Sequence, residues 1–140
     1  MKLEAFVNFN GECKEAVEFY AKVFKTEVGN MMMFSDAPAE EGYVMSEADK
    51  NKVMYAGLPF GDSVIMFSDT PEGAPYIQGT NIALTVSFED KEEVARVFNE
   101  LSVGGQIIMP LSQTFFSEYF GMLTDKFGLN WQILVFSPQQ

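Results

Sequence analysis

One hundred and forty residues suffice for one ordinary domain with a real core, and 47% hydrophobic residues with 14% aromatics are those of a folded chain. Nine basic against twenty acidic residues leave a net charge of −11, a field that repels phosphate backbones and anionic membranes, so neither nucleic acid nor a membrane is an expected partner. There is no histidine, which removes imidazole bases, Ser-His and Cys-His nucleophile pairs and imidazole metal ligands.

Cys13 is the sole cysteine, so an intrachain disulfide is impossible. MKLEAFVNFN lacks the apolar core of a signal peptide, and no apolar run approaches the ~20 residues that span a bilayer. A cytoplasmic protein is expected.

In chain order, LEAFVNF reads as a strand. GECKEAVEFYAKVF follows as a helix, with Ala16, Phe19, Tyr20, Val23 and Phe24 at helical spacing and Asn10 as its expected cap. GNMMMF is the next strand. Ser35 to Lys52 has the Pro, Ala and acidic character of an insertion, and its Glu40-Glu41 pair reads as solvated loop. VMYAGLPFGDSVIMF then forms a hairpin that turns at Phe60-Gly61.

The plan repeats. NIALTVSF is a strand, and EDKEEVARVFNELSVGG is a helix with Val94, Val97, Phe98 and Leu101 on one face, Asp90 and Glu93 as a capping box and Gly104-Gly105 as its stop. QIIMPL is a strand, and YFGMLTDKFGLNWQILVF is a hairpin turning at Phe127-Gly128. The helices match at an offset of 78 residues and the hairpins at 67. Two βαβββ modules, 1–70 and 78–137, therefore build an α+β fold with a cupped mixed sheet.

FNGECKEAVEFYAKVF, SDAP, LPFGDSVIMFSD and MPLSQTFFSEYFGMLTDKFGLNW, with the spacing between them, resemble the vicinal oxygen chelate superfamily of glyoxalases, bleomycin-resistance proteins and dioxygenases. Within it they are most similar to the PhnB-like, demethylubiquinone methyltransferase-like group. The resemblance implies homodimers and, in catalytic members, four side chains on a divalent metal. Carried over by spacing, those positions are Ala5, Ile65 (Met66 if the register slips by one), Asn81 and Gln132. Aliphatic groups cannot ligate and neutral amides ligate hard cations weakly, so neither metal nor cofactor is expected. The group's His on the third strand and Glu near the C-terminus stand here as Tyr55 and Phe136.

Alternation from those positions places Ala5, Val7 and Phe9 on the cup wall, with Asn81, Ala83 and Thr85 on the fifth strand and Gln132 and Leu134 on the last. Tyr55 and Met122 correspond by the hairpin offset, and Gln113 is a further candidate among the neutral polar groups of the cup. The expected ligand contacts are thus Val7, Phe9, Tyr55, Asn81, Thr85, Gln113, Met122 and Gln132, a mixture suited to a small apolar or aromatic organic molecule. Trp131, alternating with Gln132, is expected beneath a helix. Cys13 sits in a first helical turn that favours thiolate, but acidic neighbours and the lack of a base oppose a nucleophilic role. Three readings stay open: a metal-free small-molecule binder, as bleomycin-resistance proteins are; an enzyme using Tyr55 or Gln132; and a pocketless dimerisation module. A Rossmann-type S-adenosylmethionine site would need a glycine-rich turn that FNGEC does not provide.

Overall fold

The structure, a computed structural model, describes residues 1–37 and 45–136. The Glu40-Glu41 pair and part of the expected insertion lie outside the described residues. The chain divides into two compact units, Met1–Ile77 and Gln78–Gln140.

The first unit runs β1 (Ala5–Phe9), α1 (Cys13–Val23), β2 (Met31–Met33), β3 (Val53–Phe60) and β4 (Ser63–Asp69). Its sheet has the order β1-β4-β3-β2, with β1 parallel to β4 and the other pairs antiparallel. The helix packs on β3 and β4. Cys13, Ala16, Val17, Tyr20 and Val23 are its buried face, and Tyr20 lies within ring contact of Phe9 and Phe67.

The second unit repeats the order with β5 (Leu84–Phe88), α2 (Lys91–Ser102), β6 (Gln106–Ser112), β7 (Phe120–Thr124) and β8 (Asn130–Val135), in a sheet ordered β5-β8-β7-β6. Val94, Val97, Phe98 and Leu101 are the buried stripe of α2, as their spacing predicts. Trp131 is 1% exposed on the helix-facing side of β8, opposite Leu123. Burying each such large side chain contributes roughly 1.5–3 kcal/mol. Gly121 is required there, because a Cβ on it would come within 2.6 Å of the Phe98 ring.

The two helices start differently. Asp90 accepts from the Glu92 N–H and caps α2 locally, whereas Glu93 turns to Arg96 rather than completing a capping box. Asn10 does not cap α1. The N-cap position is Glu12, which makes no side-chain cap, and the donors at that helix start go instead to Asp69, from the far end of β4.

Candidate functional site

Each sheet has one face against its helix and one face free of it. Between Phe9 and Cys13 the chain takes three residues, but between Phe88 and Lys91 it takes two. The extra residue is accommodated around Gly11, whose φ of 100° suits glycine. The helices therefore correspond at 78 and the strands before them at 79, so a position counted back from the α1 tyrosine falls on the wrong side of β1.

That shift corrects Ala5, Val7 and Phe9. Phe9 is buried and stacks on Phe67, with ring centroids 6.1 Å apart and planes at 12°, on the α1 side of the sheet. Ala5 and Val7 share that side by alternation, and Ala5 pairs with Ile65. Val7, Phe9 and both expected first-unit metal positions therefore belong to the core side. The residues that face away are Phe6, opposite Met66, and Asn8, whose side-chain oxygen accepts from Ser68 Oγ at 2.5 Å.

Tyr55 does lie on the helix-free face, across from Met32. Its phenol lies over Gly57, where a Cβ would stand 3.1 Å from the hydroxyl oxygen. Met122 is not its counterpart, however. The β3–β4 turn joins Phe60 to Ser63, while the β7–β8 turn joins Thr124 to Asn130, so one hairpin offset cannot serve both strands. Gly57 opposes Met66 as Met122 opposes Gln132, which makes Tyr55 equivalent to Phe120.

In the second unit the expected residues converge better. Thr85, Gln132 and Met122 sit side by side on β5, β8 and β7, and Met109 continues the row on β6. The neighbouring row is Ser87, Leu134, Phe120 and Ser112. Thr85 Oγ1 donates to Gln132 Oε1 at 3.2 Å. Two other expected residues fall outside the rows. Asn81 is exposed and precedes β5, since the Asn130 amide holds the carbonyls of Gly79 and Ile82 and keeps that approach out of the sheet. Gln113 is exposed one residue past β6. Phe6, Asn8, Ser68, Met109 and Phe120 escaped the sequence reading, and the Asn10-Gly11 pair before α1 is the signal that could have recovered the first two.

The buried carboxylates are committed to the fold. Asp69 accepts from the backbone N–H groups of Gly11 at 2.7 Å, Cys13 at 3.0 Å and Val53 at 2.9 Å. Asp125 accepts from Phe127 and Leu129 N–H and from the Trp131 indole at 2.8 Å. For Asp49, burial raises the pKa, but the Glu72 N–H and Lys52 outweigh it and hold the carboxyl below its usual 3.8. Burial, with Asp69 beside it, pushes the Cys13 thiol up to about 12. A thiol so placed is no nucleophile at neutral pH.

On the helix-free face the positions paired across the outer strands are Phe6 and Met66 in the first unit and Thr85 and Gln132 in the second. A ring, a thioether, a hydroxyl and an amide do not fit the hard or borderline divalent ions of the superfamily's catalysts. Among the described residues no group of three His, Cys, Asp or Glu side chains is placed to hold a metal ion. No helix among them is long and apolar enough to cross a membrane.

Two mixed four-stranded sheets, each crossed by one helix in βαβββ order, define the vicinal oxygen chelate class of α+β proteins. A glyoxalase/bleomycin resistance protein/dioxygenase family enzyme from Burkholderia phytofirmans shares the fold, with a TM-score of 0.63 at 19% identity over 94% of this chain and 96% of that one. Within this class the chain belongs to the PhnB-like family whose model is described as 3-demethylubiquinone-9 3-methyltransferase, which matches residues 1–134.

Protein YjdN of Escherichia coli K12 is 30% identical over 146 residues, spanning 99% of this chain and 98% of its own. The crystal structure of protein PA1353 from Pseudomonas aeruginosa is similar at 32% identity and a TM-score of 0.82, covering 96% of this chain and 98% of that one. A putative 3-demethylubiquinone-9 3-methyltransferase, PhnB protein, from Bacillus cereus is similar at 28% and 0.79, covering 97% and 100%.

The family description implies a methyl donor, and the one glycine-bearing strand-to-helix turn, at 10–12, does not fit a Rossmann-type site for it. The Gly11 and Cys13 N–H groups that such a site would offer are spent on Asp69, whose carboxylate occupies the helix start.

Proposed function

We propose that this protein binds a small, mainly apolar or aromatic organic molecule on the helix-free face of its second sheet, without a metal. The observation that carries this is the Thr85–Gln132 pair, an exposed hydrogen bond set among Met109, Met122, Leu134 and Phe120. An amide there adds nothing to sheet pairing, and a few polar groups within apolar surroundings are what orient a ligand. Sequestration, carriage or sensing fits a site with no group poised for acid–base or nucleophilic chemistry. Homodimerisation and a cytoplasmic setting belong to the same reading.

Thermal denaturation with a panel of small aromatic compounds tests it, since a ligand that binds only the folded state raises its stability. At 100 times the dissociation constant the gain is about 2.7 kcal/mol. Gln132→Leu is expected to reduce the shift given by ligands that carry a hydrogen-bond acceptor and to leave the unliganded protein folded. An undiminished shift with those ligands in that variant overturns the placement of the site.

The methyl transfer named in the family's description is the second reading, and it rests on the family match alone. Binding of S-adenosylmethionine measured by calorimetry decides it, and saturable binding with one site per chain would sink the binder proposal.

A further inference from the structure

Two features of the second unit point to one ligand chemistry. The first is a donor. Gln132 Oε1 accepts from Thr85, and Gln132 Nε2 has no partner among the described residues. In this arrangement the oxygen end of the amide meets the hydroxyl, and the N–H groups are left on the helix-free side.

The second is an aromatic arm. Thr114 and Ser117 close a tight turn in which Thr114 N–H donates to the Ser117 carbonyl at 2.9 Å and Ser117 N–H to Thr114 Oγ1 at 3.1 Å. Ser117, 4% exposed, donates from its hydroxyl to the carbonyls of Tyr119 and Val135. This side-chain bonding holds the turn without regular secondary structure. It carries Phe115 and Phe116, ring centroids 5.2 Å apart and edge-on at 88°, and Phe116 meets Phe120 at 5.0 Å and 78°. Edge-on rings at this separation attract one another and fix each other's planes.

Phe120 opposes Leu134 and Met122 opposes Gln132, so Phe120 and Gln132 are diagonal neighbours across β7 and β8. That places the two residues roughly 7–8 Å apart, with their Cβ atoms somewhat closer, a span that a benzene ring bearing a carbonyl covers. We infer that the second sheet recognises a planar aromatic carbonyl compound. Its oxygen accepts from Gln132 Nε2, its ring lies on Met122 and Leu134, and Phe116, braced by Phe120, forms the wall. The assignment rests on the binding reading above and narrows it to a chemical class. It makes Gln132 the residue that sets specificity and Phe116 the residue that sets affinity for the ring.

Acetophenone and α-methylstyrene have nearly the same shape and differ in whether oxygen or CH2 ends the side chain. Titration of the intact protein with each, followed by ligand-observed NMR, tests the inference before any residue is changed. Acetophenone is expected to bind about fivefold more tightly, the worth of one net hydrogen bond. Gln132→Leu should erase that preference and keep the binding of α-methylstyrene, while Phe116→Ala should weaken both. Equal binding of the two compounds to the unmodified protein, or a preference that survives Gln132→Leu, overturns the inference and leaves the broader binding reading standing. Binding of neither compound overturns both.

Discussion

Asp69 Oδ1 accepts the backbone N–H of Cys13 at 3.0 Å, joining the last residue of β4 to the first residue of α1 across 56 positions of sequence. The same carboxylate takes the N–H groups of Gly11 and Val53. One side chain thus closes a helix start, the preceding turn and the first residue of β3. Capping by a residue so distant couples the helix to the sheet, which a local cap such as Asp90 cannot do.

Removing that carboxylate strands buried donors. Asp69→Ala is expected to lower stability by about 2–4 kcal/mol, since each unsatisfied buried N–H costs on the order of 1–3 kcal/mol. Asp69→Asn keeps the shape and one acceptor, so its loss should be smaller. Urea unfolding of the two variants checks the order; equal losses would mean that packing rather than acceptance matters at this position.

Cys13 responds to alkali with a definite sign. Its thiol is raised from 9.0 to about 12 in the folded protein, so the folded state holds a proton that the unfolded chain releases. The stability this contributes is fully present below pH 9 and falls as pH rises from about 9 toward 12. Cys13→Ser should flatten that alkaline limb of a stability-versus-pH curve. Iodoacetamide at neutral pH should label Cys13 only after unfolding, and rapid labelling of the native protein would contradict its burial.

Asp49 gives the opposite slope at the acid end. Burial opposes its charge, but the Glu72 N–H and the Lys52 ammonium hold its pKa below 3.8. A depressed carboxyl contributes stability above the unfolded value, and that contribution disappears as pH falls through the folded one. Asp49→Asn should therefore weaken the protein at neutral pH and reduce the loss seen below about pH 4. The measurement is unfolding in denaturant across pH 2.5 to 7, and an unchanged acid limb would count against it.

The helices, the paired modules and the burial of Trp131 were legible because each shows as a local period: 3.6 in a helix, 2 in a strand. Facing was legible only where loop lengths agreed between the halves. Thr85 and Gln132 came out on the right side because the second unit keeps a two-residue passage from β5 to α2. Val7 and Phe9 did not, because the residue added at Gly11 reverses a period-2 strand while leaving the helical pattern intact. Asp69 was invisible as a cap, since nothing in FSDT distinguishes a terminal strand aspartate from a solvated one. Gln113 and Asn81 were lost to strand ends, which periodicity locates poorly.

The Thr85–Gln132 pair separates a site from a structural contact. If the bond serves only the fold, Thr85→Val removes an exposed hydrogen bond that water can replace and costs at most about 1 kcal/mol, and so does Gln132→Leu. The double variant Thr85→Val with Gln132→Leu then recovers most of that loss, because two apolar groups replace two polar ones. If the pair also orients a ligand, stability recovers in the double variant and ligand binding does not. Thermal midpoints with and without acetophenone read both quantities from the same three proteins. Recovery of the ligand-induced shift together with stability would show that Met122 and Leu134 suffice for binding and that the amide has no part in it.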